Sequence, residues 1–447
     1  MQMYDAFSLM FQLAEKINVF CVGNCTDITA QLKQVFRYSD YGSYYDSREL
    51  QPGLKYHVFC RFSRMWLLII MVVAQGYANL GDSQTKMNPE QFMNVTEKIQ
   101  YWGYPCEEYE VLTHDGYYLS LSRIPGGTKA AILLMHGLVT DGSVWVANLP
   151  NNSLGFFLAD AGYDVWIGNS RGSSLSRRHQ FLTIDEQEFW DFSLHEMGIY
   201  DLSAMADFIL QKSGQEKIYY AGHAEGGTIA FVAFSVVPLL AEKIKMFFAL
   251  GPAYTFTYSK SPLVQILRFP SALLKIIFGT KEFCLLSPRL KAFLARRCSY
   301  QPVDVLCKQV LLFFSGCNEK NLNQSRTDVY VSIFPDYTSV KNILHWSQLT
   351  KTGEFRYFDY GSRNIEKYNQ TVPPFYRIEE ITVPIALWSG GQDLVCPPQE
   401  IMLLMSRITN LIHYKHFPDW NHWDFIWGLD AAQRMYVEVL GLMEKQL

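Results

Sequence analysis

Residues 219–228 read Tyr-Tyr-Ala-Gly-His-Ala-Glu-Gly-Gly-Thr, and this stretch decides the fold. The apolar run 218–221 predicts a buried strand, and the small residues 226–230 predict the start of a helix. Between them lies the pattern Gly-x-x-x-Gly, from Gly222 to Gly226. Glycine suits both positions, because a β-carbon there would collide with the neighbouring strand and helix. The stretch therefore predicts a strand, a sharp turn and a helix.

This arrangement matches the nucleophile elbow of α/β-hydrolases, Gly-x-Ser-x-Gly, in which the turn lifts a serine oxygen above the sheet. The middle residue of the elbow in this chain is Ala224. A methyl group has no atom that can attack a carbonyl carbon. The sequence therefore predicts a hydrolase scaffold that lacks its nucleophile.

The composition is that of a globular protein with one large core. The chain has 447 residues, of which 49% are hydrophobic and 18% charged, which is enough for one core and an inserted cap. The net charge of −4 gives no reason to expect a nucleic-acid partner. Aromatic residues make up 15% of the chain. A large core and contact with lipid could each explain this share, and we favour the core.

The N-terminal part contains a segment typical of a secretory signal. Residues 65–78 form a short apolar run that follows Arg61 and Arg64 and ends in small residues. Because a signal is read at the emerging N-terminus, we expect translation to start at Met65, with 1–64 an over-extended first segment. The protein would then be secreted or lysosomal. The alternative is a cytosolic form whose internal signal is never used.

Four sequons follow the signal-like segment and support secretion. The predicted N-glycosylation sites are Asn94, Asn151, Asn323 and Asn369. They lie in polar or turn-like surroundings, as glycosylated asparagines do.

Two cysteines form the candidate disulfide. Cys298 and Cys307 are nine positions apart in a turn-rich segment. Two unpaired thiols, or a bond that involves Cys317, remain alternatives at this point. The cysteines and histidines do not show zinc-ligand spacing, so we predict neither a metal nor a cofactor.

Strand and helix patterns alternate through most of the chain, which favours a parallel sheet covered by helices on both faces. The alternation of strand and helix patterns is interrupted between residues 252 and 374. We therefore divide the mature chain into a first core segment (79–251), an inserted, mainly helical cap (252–374) and a second core segment (375–447). The predicted elements are a hairpin (109–113 and 117–123), strands at 130–135, 164–168, 218–221, 246–250, 383–388 and 413–417, and helices at 201–212 and 431–443.

A hydrolase triad runs in the order nucleophile, acid, histidine, and this chain supplies Ala224, Asp393 and His422 in that order. Asp393 would orient the imidazole, and His422 would accept the nucleophile's proton. Two backbone N–H groups would form the oxyanion hole. We assign them to Leu138, after a buried strand, and to Glu225, which follows the nucleophile position.

Long motifs through residues 88–447 resemble the mammalian acid lipase family, which includes gastric lipase and lysosomal acid lipase. The family implies a secreted or lysosomal glycoprotein that hydrolyses triacylglycerols or cholesteryl esters at acid pH, with a capped core and a disulfide matching Cys298–Cys307. The motifs that carry the resemblance are Tyr101-Trp-Gly-Tyr-Pro105, Glu107-Glu-Tyr-Glu-Val111, Asp115-Gly-Tyr117, His136-Gly-Leu138, Asn148-Leu-Pro-Asn-Asn-Ser153, Asp160-Ala-Gly-Tyr-Asp-Val-Trp166, Gly168-Asn-Ser-Arg-Gly172, Asp328-Val-Tyr330 and Asn421-His-Trp-Asp-Phe-Ile-Trp427.

The chain departs from the family at the elbow. The family pattern Gly-His-Ser-Gln-Gly-Thr-Thr is here Gly-His-Ala-Glu-Gly-Gly-Thr at 222–228. Loss of the nucleophile removes about 10⁶ of the rate in a serine hydrolase. We therefore expect an inactive or severely impaired relative that binds a neutral lipid or fatty acyl ester. The alternatives are an active lipase in which Ala224 is an artefact or compensated, and a decaying gene copy.

The apolar cap stretch 263–286 suggests contact with a lipid–water interface, with Phe269 and Phe278 as the residues to test. The competing interpretation is a cap helix packed on the core. We expect a monomer.

Overall fold

The computed structural model describes residues 87–301 and 303–445. The predicted extension 1–64 and the signal-like segment 65–78 lie outside the described residues. Within the described part, no helix is both long and apolar enough to cross a membrane.

The centre of the fold is a twisted sheet in the order β1-β2-β4-β3-β6-β7-β10-β11, and β5 adds to the edge of β2. The pairs β1–β2 and β2–β4 are antiparallel, and the pairs from β4 to β11 are parallel. The antiparallel pair β8–β9 lies apart from this sheet. The strands are β1 Glu107–Leu112, β2 Tyr117–Ile124, β3 Ala131–Met135, β4 Asp164–Gly168, β5 Arg178–His179, β6 Ile218–His223, β7 Ile244–Leu250, β8 Glu282–Phe283, β9 Thr338–Ser339, β10 Ile385–Gly390 and β11 Leu411–Phe417.

Helices cover the sheet and form most of the segment between β7 and β10. They are α1 Val95–Tyr101, α2 Leu154–Asp160, α3 Leu194–Glu196, α4 Ser203–Ser213, α5 Glu225–Val236, α6 Pro238–Ala241, α7 Pro262–Gln265, α8 Ser271–Phe278, α9 Pro288–Arg297, α10 Val303–Ser315, α11 Thr327–Ile333, α12 Val340–Thr352, α13 Asn364–Tyr368, α14 Pro398–Met405, α15 Asp424–Trp427 and α16 Val437–Glu444.

The predicted strands are all present, with ends that differ by a few residues. Every residue of β3, β4 and β6 is buried, as the continuous apolar runs indicated. The predicted helix 201–212 begins later, at Ser203, because a π-helical stretch precedes it. The α/β-hydrolase prediction is confirmed. The segment 252–374 is mainly helical, while its bounds as a cap stay a prediction.

The structure joins Cys298 to Cys307 by a disulfide between the end of α9 and α10, so the proposed pair is confirmed. Cys317 is not part of this bond. Among the predicted glycosylation sites, Asn151 and Asn369 are exposed. Asn94 and Asn323 are half-buried, and their side chains accept backbone hydrogen bonds. Glycosylation itself stays a prediction.

Candidate active site

The structure brings the predicted acid and histidine into direct contact. Asp393 follows β10 and His422 lies in the loop after β11, so the two parallel strands deliver both side chains to one edge of the sheet. His422 Nδ1 donates to Asp393 Oδ2 at 2.9 Å, and both residues are buried. Asp393 Oδ1 accepts the N–H groups of Val395 and Cys396, at 2.8 and 2.7 Å. The carboxylate is therefore held from two sides.

This contact fixes the state of the imidazole. An ionised carboxylate only accepts hydrogen bonds, so the Nδ1 atom of His422 carries the proton. In the neutral ring Nε2 is then an acceptor. Nε2 has no hydrogen-bond partner in the part of the chain that the structure describes, and His422 lines a cavity.

Ala224 occupies the tip of the elbow with φ +49° and ψ −115°, a region that L-residues rarely adopt. The surrounding backbone enforces this conformation. A β-carbon on Gly222 would lie 2.5 Å from the backbone of Gly226, and one on Gly226 would lie 2.4 Å from Met135 O. The elbow geometry is therefore complete although its tip is a methyl group.

In the described part of the chain, neither of the predicted oxyanion-hole amides donates a hydrogen bond. The N–H groups of Leu138 and Glu225 donate to no acceptor within residues 87–301 and 303–445. Glu225 is the first residue of α5, so its N–H is one of those that a helix leaves free. The loop that carries Leu138 lies close to the elbow, because a β-carbon on Gly137 would lie 3.1 Å from Ala224 Cβ.

His223, next to the tip of the elbow, supplies a second free ring nitrogen. Its Nε2 donates to the carbonyl oxygen of His422 at 3.0 Å. Burial lowers the pKa of His223 well below its usual value, so the ring is neutral and Nδ1 is an acceptor. This Nδ1 atom is buried and has no hydrogen-bond partner among the described residues, and His223 lines the same cavity as His422.

The side chain of Glu225 is anchored away from the cavity. Its Oε1 accepts hydrogen bonds from Trp346 Nε1 at 2.6 Å and Asn342 Nδ2 at 2.7 Å, both on α12. Burial raises the pKa of Glu225 to about 7, against the opposing effect of these two donors. Glu225 therefore connects the elbow to the inserted segment instead of facing a ligand.

An apolar cavity lies directly above Ala224. Its free space is about 70 Å³, enough for a few water molecules, whereas pockets for drug-sized ligands are usually about 300–1,000 Å³. A lipid chain could enter only if side chains of the inserted segment moved. The wall from the sheet edge includes Leu138, Val139, Thr140, His223, Ala224, His422 and Trp423, and the wall from the segment 252–374 includes Phe256, Ser261, Leu263, Ile266, Phe283, Phe314, Phe334 and Ile343.

The ligand atoms of Asp393, Cys396 and His422 lie within 4.8 Å of one another, a group that sequence spacing did not reveal. Two of its members already bond to each other. Burial raises the pKa of the Cys396 thiol well above its usual value, so the thiol stays protonated. A protonated thiol is a weaker metal ligand than a thiolate. The contacts of this group are explained without a cation.

Comparison with known families matches two overlapping regions. Residues 130–429 match the alpha/beta hydrolase fold, and residues 95–149 match the partial alpha/beta-hydrolase lipase region. Together the matches extend from the start of α1 to the turn that follows α15, and they include Ala224, Asp393 and His422.

Three curated relatives are similar over most of both chains. Human lipase member M is 50% identical over 394 residues, which is 86% of this chain and 93% of the relative. Human lysosomal acid lipase/cholesteryl ester hydrolase is 48% identical, with 82% and 94% covered. Gastric triacylglycerol lipase of Rattus norvegicus is 47% identical, with 85% and 99% covered. On this likeness and on its fold, the chain belongs to the acid lipase family of alpha/beta hydrolases.

Proposed function

We propose that this protein is a catalytically inert acid lipase relative that binds a neutral lipid or fatty acyl ester in the cavity above Ala224. One observation supports this most: a methyl group occupies the tip of a complete elbow, beside an intact Asp393–His422 pair. The free amides of Leu138 and Glu225 would still receive an acyl carbonyl oxygen. The site thus keeps the means to position an ester and lacks the attacking oxygen.

The hydroxyl and thiol groups near Ala224 in the described residues are not well placed as substitute nucleophiles. Ser261 lines the cavity and its hydroxyl has no hydrogen-bond partner among those residues, but it makes no hydrogen bond to His422, which would have to activate it. The Thr228 hydroxyl is one turn along α5 and donates to Ala253 O at 2.7 Å. The Cys396 thiol is buried and protonated, and Cys396 is not part of the cavity wall. Without a nucleophile, the oxyanion hole and substrate binding alone accelerate hydrolysis only about 10³–10⁴-fold over the rate in water. This rate is far below that of a working lipase.

A surface on α8 could dock the protein on a lipid–water interface. Leu273 and Ile277 are exposed, and Ile276 is 80% exposed. The two residues that the sequence suggested are less suitable, because Phe269 is half-buried and Phe278 packs on Phe283. The neighbouring turns of the same segment line the cavity, so this surface would bring the cavity close to lipid.

The relatives' names include lysosomal and gastric lipases, and on this basis we propose a secreted or lysosomal location. The monomeric state stays a prediction from the sequence. Mass spectrometry of the N-terminus of protein secreted from transfected cells tests the location. A mature chain that begins shortly after residue 78 supports it, and a chain that retains 1–64 contradicts it.

The replacement Ala224→Ser tests the inert-site proposal. The wild type should hydrolyse tributyrin at background rate, and the variant should gain activity, by up to about 10⁶-fold if the oxyanion amides are in register. The matched control, Ala224→Ser with His422→Ala, should return to background. Wild-type turnover that disappears on replacing His422 would contradict the proposal.

A further inference from the structure

The cavity above Ala224 ends in a group of polar atoms that have no hydrogen-bond partners among residues 87–301 and 303–445. The free atoms are two acceptors, His422 Nε2 and His223 Nδ1, and two donors, the N–H groups of Leu138 and Glu225. His223 Nδ1 is fully buried, and the whole His422 residue is only 4% exposed, so little bulk water reaches the two ring nitrogens. The remaining cavity wall is apolar apart from two hydroxyls. Thr140 donates to Gly137 O, and Ser261 has no hydrogen-bond partner among the described residues and does not reach His422 Nε2.

This set of atoms differs from that of an active hydrolase. In the working triad the serine hydroxyl donates to the histidine Nε2. Ala224 has no hydroxyl, so the lone pair of His422 Nε2 needs a donor from elsewhere. An ester head group has only acceptor oxygens and cannot supply one. An unsatisfied buried acceptor costs about 1–3 kcal/mol.

A carboxylic acid satisfies the site better. The free acid is ionised at neutral pH, so its binding takes up one proton from water. In the complex this proton lies between one carboxyl oxygen and His422 Nε2, and the second oxygen accepts from the Leu138 and Glu225 amides. If the proton moves to the ring, the result is a carboxylate paired with an imidazolium that Asp393 already supports, which also favours the acid over an ester. We infer that the preferred ligand of this protein is a long-chain carboxylic acid, bound by its head group between His422 and the two free amides. This inference rests on the proposed function, because it assumes that the cavity receives an acyl chain.

The test compares ligands that share one 18-carbon chain and differ only in the head group. Equilibrium dialysis of the purified protein at pH 7.5 would use radiolabelled oleic acid, methyl oleate, oleyl alcohol and monooleoylglycerol below their micellar concentrations. Oleic acid should bind at least about tenfold more tightly than methyl oleate, the ratio expected from one unsatisfied buried acceptor.

The variant Asp393→Asn gives a readout that a purely structural role would not move. The Oδ1 atom of the new asparagine can still accept hydrogen bonds from the N–H groups of Val395 and Cys396. The Nδ2 atom of the asparagine would then face His422 and donate to its Nδ1. The ring proton then lies on Nε2, which can donate to an ester carbonyl. We expect the acid-to-ester ratio to fall towards one, chiefly through tighter methyl oleate binding. General loosening of the site would weaken both ligands alike.

Three outcomes would overturn the inference. Equal binding of acid and ester to the wild type would show that trapped water supplies the missing donor. Oleyl alcohol or monooleoylglycerol binding as tightly as the acid would show that any hydroxyl is sufficient. An acid-to-ester affinity ratio that is unchanged in Asp393→Asn would show that the preference for the acid does not depend on the tautomer of His422. Failure of all four lipids to bind is a different result, which refutes the proposed lipid-binding function itself.

Discussion

Glu225 is the residue at which a single substitution should change stability in a defined pH range. Its carboxyl is buried and its pKa is raised from the ordinary 4.5 to about 7. The folded protein therefore holds this proton more tightly than the unfolded chain. Between pH 4.5 and 7 the folded state loses stability relative to the unfolded state as pH rises, and above pH 7 the whole cost is present.

The size of the effect follows from that pKa. A rise of about 2.5 at 1.36 kcal/mol per pH unit gives a cost on the order of 3 kcal/mol. Glu225→Gln removes the charge and keeps an oxygen that can accept from Asn342 and Trp346. Glutamine is also the residue of the family pattern at this position. The variant should match the wild type near pH 4 and exceed it by about 1–3 kcal/mol at pH 8.

The assay is urea unfolding followed by tryptophan fluorescence at pH 4, 5.5, 7 and 8.5. Burial also raises the pKa of Asp424 to about 7, but this contribution cancels in the difference between variant and wild type. Exposed Glu216→Gln is the matched control and should give no such trend. A stability difference that is constant over this range, or that grows towards acid pH, would refute the reasoning about Glu225.

Two further substitutions test the elbow and the exposed surface of α8. Ala224→Gly should stabilise the protein by about 1 kcal/mol in urea unfolding. Glycine relieves about 1–3 kcal/mol of backbone strain, which is more than the free energy lost because the unfolded chain becomes more flexible. A loss of stability would show that Ala224 is not strained. Replacing Ile276 and Ile277 together by serine should abolish salt-insensitive sedimentation of the protein with phosphatidylcholine liposomes. The control Leu239→Ser, at an exposed position on α6, should sediment like the wild type. Equal loss of sedimentation in both variants would contradict docking through α8.

The sequence was most informative where parallel strands end. Short strands that alternate with helices predict a parallel sheet, and the carboxyl ends of such strands lie at one edge. Ala224, Asp393 and His422 each follow a predicted strand, so their approach could be predicted without a structure. The continuous apolar runs of β3, β4 and β6 gave the core for the same reason.

The contacts made by the inserted segment could not be predicted in this way. Asn342 and Trp346 lie 117 and 121 positions from Glu225, on a helix whose sequence shows no sign of this contact. The free nitrogen of His223 also had no sequence signal, because it depends on the hydrogen bond of the other ring nitrogen to His422 O. Such features depend on how the segment packs on the sheet, which local pattern does not specify.

The intact Asp393–His422 pair is weaker evidence for catalysis than it looks, because the pair also organises the local backbone. Asp393 Oδ1 accepts the N–H groups of Val395 and Cys396, and Asp393 Oδ2 accepts from His422 Nδ1. Replacing Asp393 would leave the two N–H groups without partners, and replacing His422 would leave a buried carboxylate oxygen without its donor, at about 1–3 kcal/mol each. Loss of the serine oxygen leaves these contacts unchanged. An inert protein is therefore expected to keep the acid and the histidine long after losing the nucleophile, and only restored hydrolysis in Ala224→Ser would show that the pair is also placed for chemistry.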